Sequence, residues 1–351
     1  MSKTNFTIIK KLPSDEEMNQ EAPLSEFCKQ QIKLDRKEIK AILNNEDPRL
    51  LVIVGPCSAW PKAAVLEYAK RLSILNEKVS PHLKLVMRVY VQKSRTLMGW
   101  AGPASHPDPF GPPDIEAGMN YTREVITNII SMGVAVASEI VFTQNNPRFL
   151  ELLAWAAIGA RSAEAPAHRI FASSIDVPVG MKNPTNGPLS TWLNGVIVAQ
   201  HEHNTMINGH EVRTHGNQYA HLVLRGCNGM PNCSIDQLRE IKQHMLSAAI
   251  NNPLVLIDAS HDNCLINGKR DPFQQPKIIL DLIQHLKDNP DFSGFIKGFM
   301  IESFLKSGNQ TLDVNHPNHM DLAGLSITDP CLGWEETETM ILEMCSLLSG
   351  L

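Results

Sequence analysis

The sequence predicts an α/β fold, a (β/α)8 TIM barrel over residues 50–351, preceded by an N-terminal extension over residues 1–49 and carrying one inserted β-hairpin. Three observations predict it. Short uninterrupted apolar runs alternate with segments of helical period, as in strands covered on both faces by helices. About eight such strands can be counted, the number that closes a parallel barrel. The chain has 351 residues, 43% hydrophobic and 20% charged, enough to bury one large core.

The elements follow in order. In the extension, Asp35 to Leu43 has helical spacing. The stretch LVIVGPCSAW, Leu51 to Trp60, opens with a β-branched strand that Gly55 and Pro56 end, so Cys57 is expected at the carboxyl end of a central strand. A helix with Val65, Ala69, Leu72 and Leu75 on one stripe leads to a second strand, Lys84 to Tyr90. Gly99 to Pro113 is a long loop, then a helix carries Ile115, Met119, Val125, Ile126, Ile129 and Ile130 into the strand Gly133 to Ile140. Asn146 before Pro147 starts a helix expected to run to Trp155, ahead of AAIGA. Pro178 to Lys182 is the next strand. TMINGHEVRT, with Asn208-Gly209 at its turn, is the inserted hairpin. Regularity returns with HLVLRG, a helix opened by the capping box Ser234 to Gln237, PLVLIDASH, a helix through Ile278, Leu282 and Leu286, GFMIES, and a last helix.

Composition excludes several classes. A net charge of -5 gives no global attraction to nucleic acid or anionic membranes. No apolar run approaches the roughly 20 residues that span a bilayer, and the first residues carry charges where a signal peptide needs an apolar core. A cytoplasmic location is therefore expected. The seven cysteines are scattered without a C-x-x-C pair, which argues for reduced thiols rather than a disulfide framework. Cys227 and Cys233 have no common zinc spacing, and the histidines of HEHNTMINGHEVRTH read as a solvated hairpin.

Ionisable residues follow almost every strand: Cys57, Arg88, Lys93 and Arg95, Glu139, Arg161, Lys182, Arg225, His261, Glu302 and, in SITDP, Asp329. In a barrel such residues converge on one pocket. A single charge past a strand is commonly just solvated; the repetition is what points to a site. Cys57, His261, Glu302 and Asp329 combine thiolate, imidazole and carboxylates, a set suited to a borderline divalent ion such as Mn, Fe, Co or Zn. Arg88, Lys93, Arg95, Arg161, Lys182 and Arg225 form a cationic group that calls for a polyanion bearing phosphate or carboxylate.

With these motifs in place, the sequence resembles the type I 3-deoxy-D-arabino-heptulosonate 7-phosphate (DAHP) synthases, the first enzymes of the shikimate pathway, in their long feedback-regulated branch. The residues carrying the resemblance are GPCS (Gly55 to Ser58), MRVY (Met87 to Tyr90), RT with GW (Arg95 to Trp100), AIGAR (Ala157 to Arg161), HR (His168, Arg169), PVGMKN (Pro178 to Asn183), LRG (Leu224 to Gly226), IDASH (Ile257 to His261), ES (Glu302, Ser303), GNQ (Gly308 to Gln310) and SITDPCLGWE (Ser326 to Glu335). The resemblance implies a metal-dependent condensation of phosphoenolpyruvate with erythrose 4-phosphate and water, releasing phosphate. It implies metal ligation by Cys57, His261, Glu302 and Asp329, phosphoenolpyruvate binding by Arg88, Lys93, Arg161, Lys182 and Arg225, and sugar-phosphate binding by Arg95 and Thr96. Lys93, Glu139 and His261 are the candidates for moving protons. It also implies that the extension packs on neighbouring subunits, in a homodimer or homotetramer.

The chain departs from the family pattern in several places. Ser94 replaces the Pro of Lys-Pro-Arg-Thr, Ala101 the Lys of Gly-Trp-Lys-Gly, and Phe142 an Asp of phenylalanine-sensitive members. These changes keep two other readings open: a synthase joining phosphoenolpyruvate to another aldehyde, and an impaired homologue that only binds ligand.

Overall fold

In a computed structural model, residues 5–94, 99–143, 147–207, 209–248, 250–292 and 294–349 are described. Eight parallel strands close into a barrel: β1 (Leu50–Gly55), β2 (Leu83–Arg88), β3 (Ala135–Ile140), β4 (Trp155–Ile158), β5 (Val179–Lys182), β6 (His221–Leu224), β7 (Val255–Asp258) and β8 (Ile296–Glu302). They pair in chain order, and β8 returns to β1. Two helices precede the barrel, α1 (Asp15–Glu21) and α2 (Glu26–Leu43), and others follow its strands: α3 (Lys62–Val79), α4 (Ile115–Ser131), α5 (Pro147–Leu150), α6 (Pro166–Ser174), α7 (Leu189–Gln200), α8 (Ile235–Ser247), α9 (Gln274–Asp288) and α10 (Trp334–Leu348). Among the described residues, no helix is long and apolar enough to cross a membrane.

The continuous apolar strands are explained by two cores. In β1, Leu51 and Ile53 face the barrel lumen with Val86, Trp155, Val223 and Met300, whereas Val52 and Val54 face the helices. Both faces are dry, so no polar alternation remains in the sequence. The inserted hairpin is present, Asn204–Ile207 pairing antiparallel with His210–Arg213 on the surface; Asn208 of its turn lies outside the described residues.

Three sequence expectations are corrected. The helix expected from Asp35 begins earlier: Ser25 caps α2, accepting from the Cys28 amide at 3.1 Å, and Cys28, Ile32, Asp35, Ile39 and Ile42 make its buried stripe. A buried Asp in that stripe hid the periodicity. The extension also contains a second helix, α1, with a capping box between Ser14 and Glu17. The helix after Asn146 stops at Leu150 rather than Trp155, because Trp155 belongs to β4. Its ring is fully buried in the lumen, where Gly180 leaves the room that a side chain would fill.

The bottom of the barrel is closed by α2. Ile39, Ile42 and Leu43 are fully buried against the lumen residues, each contributing about 1.5–3 kcal/mol. Arg36 ties the same helix to the α5–β4 connection, donating to the carbonyls of Leu153 and Leu150 at 2.8 and 3.0 Å. With one end plugged, the carboxyl ends of the strands are left for a site.

Candidate active site

A cleft of about 700 Å3 opens at the carboxyl ends of the strands. Its walls include Cys57, Arg88, Lys93, Glu139, Arg161, Lys182, Arg225, His261, Glu302 and Asp329, so every described residue of the expected site lines one space. Arg95 and Thr96 lie outside the described residues.

Parallel pairing explains the convergence. Gly55, at the end of β1, is in register with Glu302, at the end of β8, which sets Cys57 beside that carboxylate. The Cys57 sulfur and one carboxylate oxygen each from Glu302 and Asp329 all lie within 4.8 Å of one another. Donors bound to one ion at 2.0–2.3 Å can be about that far apart, so this trio fits a single borderline cation. His261 stands beside it, Nε2 3.7 Å from Glu302 Oε1, although it is not within that common distance of all three. Its backbone is left-handed, φ 57°, which turns the ring back over the strand end. Nδ1 faces Asp258 Oδ2 at 2.9 Å and Ser260 Oγ at 2.6 Å, and this holds Nε2 toward Glu302.

Burial, helped by the Glu302 charge, pushes the Cys57 thiol up to about 11. Lys93 donates to the Cys57 sulfur at 3.1 Å and to its carbonyl oxygen. Burial works to raise the Asp258 carboxyl, yet the facing His261 and Lys182 outweigh it and hold the group well below the usual carboxylate range.

The cations form the other wall. Lys182 donates to Asp258 Oδ2 at 2.9 Å, and Arg225 Nη1 lies 3.1 Å from Asp262 Oδ2. Gly226 follows at φ 81°; a side chain there would strike Asp262 and displace the Arg225 turn. Arg88 is 1% exposed and donates through Nη2 to Glu302 Oε1 at 2.9 Å, its guanidinium 4.0 Å from the Tyr90 ring centre. Its Nε and Nη1 have no hydrogen-bond partner among the described residues. Buried N–H groups left unpaired cost free energy, so they mark where an anion would bind. Glu139 sits beside Gly159, where any side chain would collide with its carboxylate.

Sequence reasoning missed two groups. Asp258, the last residue of β7, orients both His261 and Lys182; its signal was an aspartate ending an otherwise apolar strand. Arg270 reaches into the cleft and lies 2.7 Å from Asp329 Oδ2, from a small hairpin pairing Leu265–Ile266 with Lys269–Arg270. The Asn267-Gly268 dipeptide between them is the turn signal that could have found it.

A (β/α)8 barrel whose rim joins a thiol-carboxylate cluster able to hold a divalent ion to a cradle of cations able to hold anions has the layout of a barrel enzyme with its active site at the carboxyl ends of the strands. Within that class, the chain belongs to the DAHP synthetase I family, whose model matches residues 28–342. It is 36% identical over 345 residues to the Tyr-sensitive phospho-2-dehydro-3-deoxyheptonate aldolase of Salmonella typhimurium, covering 97% of this chain and 94% of that one. The Trp-sensitive enzyme of that name from Escherichia coli is 36% identical over 316 residues, 89% of this chain and 87% of that one. A solved phospho-2-dehydro-3-deoxyheptonate aldolase from Francisella tularensis superposes with a TM-score of 0.90 at 32% identity, covering 98% of this chain and 99% of that one.

Proposed function

We propose that this protein condenses phosphoenolpyruvate with erythrose 4-phosphate and water, giving DAHP and inorganic phosphate. The observation that carries the reading is Arg88: a fully buried guanidinium with two nitrogens unpaired among the described residues, beside a metal-competent cluster, in a family of this chemistry. Arg88, Arg161, Lys182 and Arg225 would bind the phosphate and carboxylate of phosphoenolpyruvate, with Arg95 and Thr96 taking the phosphate of the sugar. Fixing both anions converts a bimolecular carbon-carbon bond formation into a local one. Cys57, Glu302 and Asp329, with His261, would hold one Mn, Fe, Co or Zn ion, which when bound supplies Lewis acidity to the aldehyde oxygen.

Asp258 would keep His261 Nδ1 occupied, so that Nε2 alone faces the cleft. Lys93, which donates to the Cys57 sulfur, and Glu139, on the same cleft, are the other groups able to carry a proton as water adds and phosphate leaves. Residues 1–49 we assign to assembly and closure. Phe6, Ile8 and Ile9 are 70, 80 and 93% exposed, an apolar run suited to covering a second copy in a homodimer or homotetramer, and α2 belongs to the barrel plug; light scattering at micromolar protein should return a multiple of 39.0 kDa.

The test is phosphate release from phosphoenolpyruvate with Mn2+, with and without erythrose 4-phosphate, and again with excess EDTA. Release that needs the aldehyde and is abolished by the chelator supports the reading. Cys57→Ala should lose both bound metal and turnover while keeping the fold; undiminished turnover in that variant refutes its place as a ligand. No release with erythrose 4-phosphate, but release with another phosphorylated aldose, would transfer the assignment to that acceptor.

A further inference from the structure

Asp329 is the least constrained member of the metal-competent trio. It lies in a loop after Ser326, outside any helix or strand, and its side chain is 40% exposed, whereas Cys57 and Glu302 are buried at strand ends. A carboxylate in that setting can rotate into solvent. His261 and Lys93 attract it from the cleft, and Arg270 touches it directly, Nη1 lying 2.7 Å from Asp329 Oδ2. Arg270 is itself held in place. Its hairpin follows directly on the turn His261–Cys264, and its Nη2 lies 3.9 Å from Asp262 Oδ1. Asp262 also engages Arg225 at 3.1 Å and accepts from the Gly229 amide at 3.3 Å. The charges therefore alternate along the rim, Arg225, Asp262, Arg270, Asp329, from the anion cradle to the cation cluster.

We propose that Arg270 is a positioning residue for Asp329, fixing one carboxylate oxygen so that the other stays with the Cys57 and Glu302 donors, and that it thereby sets the affinity of the site for its divalent ion. The inference rests on the metal reading given above. Two effects compete. A cation near the site repels a dication, while an oriented carboxylate no longer has to be ordered when the ion arrives. Arg270 is 28% exposed, so the high effective dielectric near the surface weakens its repulsion of an ion, while its direct contact at 2.7 Å orders the carboxylate. Orientation wins. Partners of metal-ligating carboxylates behave in this way in general, their loss weakening metal binding about 10–100-fold.

The experiment is Mn2+ titration of chelator-stripped protein, free Mn2+ being read by its electron paramagnetic resonance signal, for the wild type, Cys57→Ala, Arg270→Gln and Arg270→Lys, with circular dichroism to establish that each is folded. Arg270→Gln should weaken binding about 10–100-fold, and Arg270→Lys, which keeps the charge without the planar fork, should recover part of the loss. Equal or tighter binding in Arg270→Gln would overturn the proposal and make Arg270 a competitor of the ion. Binding by Arg270→Lys as weak as by Arg270→Gln would also count against it. Failure of the underlying metal reading looks different: the wild type would then bind no Mn2+, or Cys57→Ala would bind it unchanged.

Discussion

Strand β2 carries two inward-facing buried cations four residues apart, and they are treated in opposite ways. Lys84, at the closed end of the barrel, has its ammonium 2.7 Å from Asp35 Oδ1 and in contact with Glu38 of α2. Arg49 beside it is held by Asp47 at 2.6 Å and Glu38 at 3.4 Å. Arg88, at the open end, has one carboxylate and two N–H groups without partners among the described residues. The same strand, with Val86 between them, thus supplies a charge that the fold satisfies and one whose N–H groups the described residues leave partly unpaired. Burial alone does not mark a functional cation; the state of its hydrogen-bonding atoms does.

The largest effect is expected at the open end. Arg88→Met should lower kcat/KM by about 100- to 20,000-fold, since two charge-assisted hydrogen bonds at about 1.5–3 kcal/mol each would vanish. It should also lose stability, because Glu302 is left as a buried carboxylate without its guanidinium, so kcat/KM is measured on protein that circular dichroism shows to be folded. Turnover within tenfold of the wild type would break the contrast. At the closed end stability should fall while substrate binding is spared. Lys84→Met leaves the buried Asp35 carboxylate without its cation, and loss of one partner of a buried pair costs about 3–5 kcal/mol. Burial already raises the Asp35 pKa against the opposing pull of Lys84. Urea denaturation should record the loss with KM unchanged, and the double variant Asp35→Leu with Lys84→Met should regain most of it; a double variant as unstable as the single one would contradict the pairing argument.

How far the sequence could be read follows from the same division. Cys57, Arg88, Glu139, Lys182, Arg225, His261 and Glu302 were legible because each ends or follows an apolar strand, and parallel pairing alone brings such positions to one rim. What sequence order does not determine is which charges become partners across the fold. Asp35 interrupted an apolar stripe and concealed the start of α2, since its role depends on Lys84, 49 residues away. Trp155 looked like the end of a helix because the lumen site that accepts it is made by Gly180 and His221 of other strands. Arg270 follows no strand of the barrel, so the rule that found the rest of the site passed over it.

Between the two charged ends the lumen holds a titratable group kept neutral, and it sharpens the comparison further. His221 is 1% exposed, accepts from Trp155 Nε1 at 3.3 Å and donates from Nδ1 to the Tyr219 carbonyl at 2.8 Å. Burial, only partly offset by the bond to the Tyr219 carbonyl, pushes its pKa from 6.5 down to about 4. In the unfolded chain the imidazole gains its proton as pH falls through about 6.5, while in the folded protein it stays neutral until about 4. The unfolded state therefore binds more protons throughout that window, so the His221 contribution is fully present above pH 6.5 and is lost progressively as pH falls toward 4, on the order of 3 kcal/mol in all. Denaturation at pH 7.5 and pH 5 compares the wild type with His221→Gln, which has no proton to gain. The variant should lose about 2 kcal/mol less over that interval, whatever its stability at pH 7.5. An identical loss in both proteins would mean that His221 shares a charge with a partner, as Lys84 does, and that the lumen is not the neutral spacer separating the satisfied cation from the unsatisfied one.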